Sequence, residues 1–125
     1  MERRTIQNDI MIKGTGLHSG SMVTVRIRPA ADGITFIKGD ARIPASPANI
    51  IDTRLNTTIG SGSLRISTIE HLMAALYGAG ITDCDIEVSG SEIPAMDGSA
   101  LPFIRHLQDA GTKPLGRPCT PITIP

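Results

Sequence analysis

A carboxylate and an imidazole stand side by side in the run Ser67-Thr68-Ile69-Glu70-His71-Leu72-Met73-Ala74-Ala75-Leu76. Neutral imidazole is the commonest metal ligand, and zinc hydrolases take about three protein ligands and leave one position for water. A carboxylate next to such a ligand is placed to take the proton of that water. The pair therefore reads as a metal-water hydrolase site, or half of one. A second reading stands beside it. Ser67 followed three residues later by Glu70 matches a capping box, in which the glutamate only satisfies backbone N–H groups. The spacing is not HExxH, and the further ligands are not evident nearby.

Helical periodicity sharpens the question. Ile69, Leu72, Met73 and Leu76 recur at i, i+3, i+4 and i+7, the stripe a helix turns to its core. His71, Ala74, Ala75 and Gly78 share the opposite side. A back built of small residues lets a second body approach closely, with His71 in the seam and Glu70 at its edge.

Other candidates are weaker. Gly14-Thr15-Gly16-Leu17-His18-Ser19-Gly20 reads as a turn needing positive φ, with His18 as a possible ligand contact. Glu92 and Asp97 could form a catalytic carboxylate pair, but Asp97-Gly98-Ser99 fits a turn and cap at a helix entry better. His106 falls on the polar side of that helix, where solvent exposure is expected. Asp83, Asp85 and Glu87 alternate with Cys84, Ile86 and Val88 and read as the solvated face of a strand.

The elements that must position these residues are legible in outline. Val23, Val25 and Ile27 alternate with polar residues, which predicts a half-buried strand stopped by Pro29. Ile34 to Ile37 reads as its hairpin neighbour across Ala31-Asp32-Gly33, and Thr5 to Lys13 as one earlier strand. Arg42 to Asn49, with two prolines, fits an edge or irregular segment. Ile50 to Ile59 reads as a strand carrying functional side chains. A second helix is marked by Phe103, Ile104, Leu107 and Ala110 and stopped by Gly111. Strands first, then helix, strand, helix predict an α+β fold, a mostly antiparallel sheet layered against two helices. The domain is expected over residues 1–112, with 113–125 a Pro-rich tail or interdomain linker.

Composition excludes several classes. Twelve basic residues balance twelve acidic ones in 125 residues without a basic block, so nucleic-acid binding has no support. No apolar run approaches the roughly 20 residues of a membrane span. The N-terminus lacks the apolar core of a secretory signal. Cys84 and Cys119 lie in dissimilar settings and suggest no disulfide framework, which favours a reducing cytoplasm. With no Trp, one Tyr and two Phe, the core must be aliphatic.

Four blocks carry a resemblance: Gly14 to Gly20, Asp52-Thr53-Arg54-Leu55, Ser67 to Ala75, and Glu92-Ile93-Pro94-Ala95-Met96-Asp97-Gly98-Ser99. In order and spacing they are similar to the UDP-3-O-acyl-N-acetylglucosamine deacetylases, the zinc enzymes that commit bacteria to lipid A synthesis. The resemblance implies a two-domain enzyme whose halves share a fold, with zinc in the cleft between them. It implies Glu70 as general base and His71 as one zinc ligand. His18 would meet the substrate diphosphate, and Leu55 would line the cleft near the zinc. The resemblance implies that the other ligands come from a second half, expected to lie outside these 125 residues. The expectation is thus the N-terminal half of a deacetylase acting on a UDP-linked, acylated amino sugar. Alone it is expected to be inactive and to bind zinc weakly or not at all. Its expected partner is that second half or a second copy of itself, meeting at the His71, Ala74, Ala75, Gly78 face. The alternative is a non-catalytic, self-associating or partner-binding module that retains the half-fold.

Overall fold

The computed structural model describes residues 2–53 and 56–118. The chain opens with β1 (Glu2–Ile6), β2 (Ile10–Thr15), β3 (Met22–Pro29), β4 (Ile34–Lys38) and β5 (Ala41–Pro44). A short 3-10 turn, Pro47–Asn49, leads into β6 (Ile50–Asp52), β7 (Thr58–Ser61) and β8 (Leu64–Ile66). Then come α1 (Glu70–Gly78), β9 (Cys84–Val88), α2 (Leu101–Ala110) and β10 (Thr112–Pro118). Among the described residues no helix is long and apolar enough to cross a membrane.

Period-two alternation builds the main sheet, ordered β2-β3-β9-β4-β5. Ile10, Ile12, Val23, Val25, Ile27, Cys84, Ile86 and Val88 turn inward, as alternate positions on a pleated strand must. They meet Leu72, Ala75 and Leu76 of α1 and Phe103, Leu107 and Ala110 of α2 in one core. The other face is charged. Arg26 lies opposite Glu87, and Arg28 opposite Asp85; Arg28 pairs with Glu87, and Arg42 with Asp85. The fold is α+β and mostly antiparallel, with β4 and β9 the parallel exception.

Several local expectations change. The β3–β4 hairpin does not form, because β9 runs between the two strands. The turn before β4 is held to the start of β9 instead. Cys84 N–H donates to Gly33 O at 3.0 Å, and Gly33 N–H donates to Asp83 at 2.7 Å. The segment expected as one strand over Thr5 to Lys13 is two. Its break is tied to the end of α2, with Gln7 N–H donating to Gly111 O and the Asn8 amide to Ala110 O.

Lys113, where a tail was expected to begin, lies inside β10. That strand pairs antiparallel with β1 and sets Pro114 opposite Arg4. In a two-stranded ribbon one edge of each strand is unpaired, so a proline's missing N–H is tolerated there. Cys119 lies outside the described residues.

Two burial expectations are also corrected. Asp83 is fully buried and does not belong to a solvated face. Arg3 Nε donates to it at 3.0 Å, Arg3 Nη2 pairs with its other oxygen, and Thr82 Oγ1 donates as well. Ala75 is fully buried too. At about 100° per residue it follows Leu72 and Leu76 inward, while the outer side of α1 carries His71, Ala74, Tyr77 and Gly78. Tyr77 is 88% exposed. Ala75 therefore cannot serve as a seam residue for a second copy.

Candidate functional site

The helix bearing Glu70 and His71 starts later than a capping box requires. Ser67 is held in an extended bridge to Glu92: its N–H donates to Ser91 O, and its carbonyl accepts from Ile93 N–H. Thr68 then reverses the chain at φ 61°, and α1 begins at Glu70 with no side-chain cap. Glu70 is the first helical residue, so the capping-box reading of Ser67 and Glu70 fails. Its carboxylate reaches sideways, and Oε2 accepts from Thr57 N–H at 3.1 Å. Among the described residues, no other hydrogen bond engages it.

The segment before β7 is stitched to this entry. Ile69 N–H donates to Thr57 O at 3.1 Å. Asn56 Oδ1 accepts from Thr58 Oγ1 at 2.8 Å and from Thr68 N–H at 3.4 Å. Thr68 bears two local costs: its positive φ, and a buried Oγ1 without a hydrogen-bond partner among the described residues. Each is of order 1–3 kcal/mol. Strain of this kind persists where the surroundings over-determine it, here directly before the Glu70-His71 pair.

Two cavities flank that entry. One, about 300 Å³, is mostly apolar and is lined by Ala45, Pro47, Ile50, Ile59, Ile69 and Met73 together with Glu70. The other, about 550 Å³, is rich in hydroxyls and includes His18, Ser19, Ser67, Ser89, Ser91 and Glu92. His71 is half-buried at the start of α1. Among the described residues no three His, Cys, Asp or Glu side chains converge as a metal cage. His71 is one imidazole of the type zinc takes, so the donor set here fits one corner of a zinc site.

His18 is set by a residue that sequence reasoning assigned to a turn. Glu92, only 3% exposed, points into the loop that follows β2. Its Oε1 accepts from His18 N–H, Ser19 N–H and Ser19 Oγ, each at 3.0 Å. Its Oε2 lies 3.0 Å from His18 Nδ1. Burial pushes the Glu92 carboxyl up, but hydrogen bonds from Ser19 and His18 outweigh it and leave Glu92 below the usual carboxylate range. Within this loop the need at Gly14 and Gly16 is space. A Cβ at Gly16 would overlap Glu92 Oε1 and lie 2.6 Å from Ser19 Oγ, and one at Gly14 would lie 2.7 Å from Pro94 Cβ. Positive φ is confined to Gly20.

The remaining candidates take modest roles. Asp97 accepts from Ser99 N–H and Oγ, and Ser99 Oγ accepts from Leu101 N–H, a turn-and-cap arrangement that leaves Glu92 and Asp97 in separate networks. Hydrogen bonds from Ser99 hold the Asp97 carboxyl below its ordinary range. His106 is half-buried on α2. Burial pushes the Cys84 thiol up to about 12, which keeps it a packing group. Leu55, expected at the cleft, lies outside the described residues. Sequence reasoning placed Glu92 in a turn rather than at His18, and made no claim for Asn56. The available signal for Glu92 was the Gly-x-Gly spacing, since two side-chain-free positions make room for something.

The comparisons with known proteins identify the family. A family model described as LpxC: UDP-3-O-acyl N-acetylglycosamine deacetylase matches residues 3–125. The UDP-3-O-acyl-N-acetylglucosamine deacetylase of Leptospira biflexa is 47% identical, over 99% of this chain and 43% of the relative. That of Geotalea uraniireducens is 43% identical, over 92% of this chain and 39% of the relative. That of Anaeromyxobacter dehalogenans is 48% identical, over 90% and 38%. The chain thus spans about two fifths of the length of these curated relatives. It belongs to the UDP-3-O-acyl N-acetylglycosamine deacetylase family.

Proposed function

We propose that this chain supplies the general base and one zinc ligand of a deacetylase that removes the acetyl group of a UDP-linked, 3-O-acylated N-acetylglucosamine. The observation that carries the reading is the placement of Glu70 and His71 at the first turn of α1, with Glu70 lining the apolar cavity and the hydroxyl-rich cavity reaching Ser67 just before them. Glu70 is held through one oxygen by Thr57 N–H, so the other oxygen keeps its lone pairs for a proton. In the reaction Glu70 takes a proton from the attacking water as the tetrahedral intermediate forms, and the products are acetate and the free amine. His71 would hold zinc as a neutral imidazole. Zinc, when bound, supplies Lewis-acid polarisation and a water acidic enough to attack near neutral pH.

His18 would meet the substrate diphosphate at the hydroxyl-rich cavity through a charge-assisted hydrogen bond. Leu55 would line the cleft near the zinc. One imidazole is too few for a catalytic zinc site, so in this reading the chain alone is inactive and its zinc binding is weak. The remaining ligands come from a further domain covering the outer side of α1. The reading places the enzyme in the cytoplasm, in the lipid A pathway.

A chimera tests it, with residues 1–125 replacing the matching segment of the Leptospira biflexa relative. The chimera should deacetylate the UDP-linked substrate. Glu70→Gln should lower turnover by about 10²–10⁴-fold with zinc content unchanged, and His71→Ala should lose zinc as well. Near-normal turnover with Glu70→Gln would return that residue to a structural role.

A further inference from the structure

We propose that Glu92 is a positioning residue that locks the His18 imidazole in its Nδ1–H tautomer, so that the proton His18 gains or loses is always the one on Nε2, the outward nitrogen. The inference starts from the donor and acceptor inventory around one buried carboxylate. Two of its contacts admit no ambiguity: the backbone N–H groups of His18 and Ser19 can only donate, and both reach Oε1 at 3.0 Å. The Ser19 hydroxyl adds a third donor to the same oxygen at 3.0 Å. Oε2 accepts a longer contact from His18 N–H at 3.4 Å and lies 3.0 Å from His18 Nδ1. A carboxylate is acceptor-only when ionised, so Nδ1 must carry hydrogen for the Nδ1 contact to be attractive.

That choice runs against the intrinsic preference of the ring. An unconstrained neutral histidine in water favours Nε2–H, and the His18 side chain is 55% exposed, so solvent alone would not select Nδ1–H. The buried carboxylate does, through a charge-assisted bond. The consequence falls on the other nitrogen of this ring, which lines the hydroxyl-rich cavity of about 550 Å³. When His18 is neutral, Nε2 presents a lone pair to a hydroxyl or N–H of a ligand. When His18 is charged, Nε2–H donates to an anionic oxygen. Glu92 thereby puts the whole protonation change of the ring on its ligand-facing atom.

The same geometry dictates what an amide would do in place of the carboxylate. In Glu92→Gln, the two backbone N–H groups require the amide oxygen at the Oε1 position. The amide NH₂ is then forced to the Oε2 position, facing Nδ1. Nδ1 must become an acceptor, and the neutral ring must move its hydrogen to Nε2. A substitution of almost unchanged size thus inverts the tautomer.

Long-range ¹H–¹⁵N correlation spectra of the ¹⁵N-labelled chain read this directly, about two pH units above the ordinary imidazole value of about 6.5. His18→Gln identifies the His18 signals, and His71 and His106 serve as internal comparators. Wild type should show a pyrrole-type Nδ1 and a pyridine-type Nε2 at His18. Glu92→Gln should reverse the pattern, the tautomer ratio moving by about tenfold or more, the scale of one charge-assisted hydrogen bond. A merely structural role for Glu92 would leave the ring at its intrinsic Nε2–H preference in both proteins, and that result overturns the proposal. So does a Glu92→Gln protein that keeps Nδ1–H. Should the variant not fold, the wild-type tautomer still decides. The readout needs no ligand, so its failure is distinct from a failure of His18 as a substrate contact.

Discussion

Asp83 and Glu92 are both buried carboxylates, nine residues apart at the two ends of the segment that contains β9, and they are held in contrasting ways. Asp83 faces a permanent cation: Arg3 of β1 grips both its oxygens, while Gly33 N–H and Thr82 Oγ1 complete its shell. Burial pushes its carboxyl up, and the Arg3 and Thr82 hydrogen bonds, the Gly33 N–H and the Arg3 charge more than offset this, leaving it below the ordinary range. Among the described residues Glu92 has no such cation. Backbone N–H groups, a hydroxyl and a partly exposed imidazole satisfy it. The first arrangement joins β1, the turn before β4 and the start of β9, which is scaffold. The second shapes one loop at a cavity, which is site. A carboxylate tied to guanidinium answers only to folding, whereas one tied to an imidazole also sets what that imidazole offers a ligand.

The largest effect is expected from Asp83→Ala. It removes the carboxylate that Arg3 Nε and Nη2 contact and leaves Gly33 N–H without its acceptor. Breaking a buried pair from one side costs about 3–5 kcal/mol, and Arg3 is partly exposed, so a loss of about 3 kcal/mol is expected in urea unfolding. The His18 tautomer in the remaining folded chain should not change. A loss below about 1 kcal/mol would put this pair with ordinary surface ion pairs.

Acid unfolding sharpens the same contrast. Both carboxyls are depressed in the folded state. Their contributions are therefore complete above the unfolded values of about 3.9 and 4.3, and are lost as pH falls through the lower folded values. In that window the unfolded state binds more protons, so stability rises with pH. Asp83→Asn and Glu92→Gln should each flatten this slope below about pH 4. A variant with an unchanged slope would have lost no depressed carboxyl.

Gly16→Ala should come next. The added Cβ would overlap Glu92 Oε1 and crowd Ser19 Oγ, so the carboxylate must leave its three donors or the loop must move. A loss of about 2 kcal/mol is expected, the scale of stranding buried donors. The signature is local: amide exchange should quicken at His18 and Ser19 while β9 stays protected. Uniform loss of protection would show that the loop and the scaffold are one unit. Glu92→Gln, which keeps an oxygen for those donors, should cost about 1 kcal/mol.

The fold was legible wherever periodicity had only one consistent reading. Alternation over Val23 to Ile27 and over Cys84 to Val88 gave strands, and the 3.6-residue stripes around Leu72 and Phe103 gave helices. Strand order was not legible. Nothing local to Ala31-Asp32-Gly33 says that the turn is held by Asp83, fifty residues on, rather than by β3. Asp83 was misread for the same reason, since its partner Arg3 lies eighty residues away. The start of α1 failed because a capping box looks only three residues ahead, while Ser67 is held by residues 91 and 93. Glu70 and His71 were readable as a pair from their types and the resemblance. Asn56 and Thr57, which set their surroundings, and Glu92, which sets those of His18, act through contacts that no spacing rule encodes.

The smallest effect tests whether the two carboxylates respond differently to the glycines beside them. Gly33 carries φ 87°, and a Cβ there meets nothing within 4 Å. Its need is conformational, unlike the spatial need at Gly16. Gly33→Ala should therefore keep the 2.7 Å bond from Gly33 N–H to Asp83 and cost only the strain of a left-handed alanine, about 1 kcal/mol. The Asp83 carboxyl should stay depressed, so the acid slope of Gly33→Ala should match wild type with the whole curve displaced downward. Gly16→Ala should do the opposite, releasing Glu92 from its donors and flattening its part of the slope. Measuring stability against pH for both variants separates the two kinds of glycine. If Gly33→Ala also flattened the slope, Asp83 would be held chiefly by that one backbone N–H. Arg3 would then be a bystander, and the contrast between a cation-tied and an imidazole-tied carboxylate would collapse.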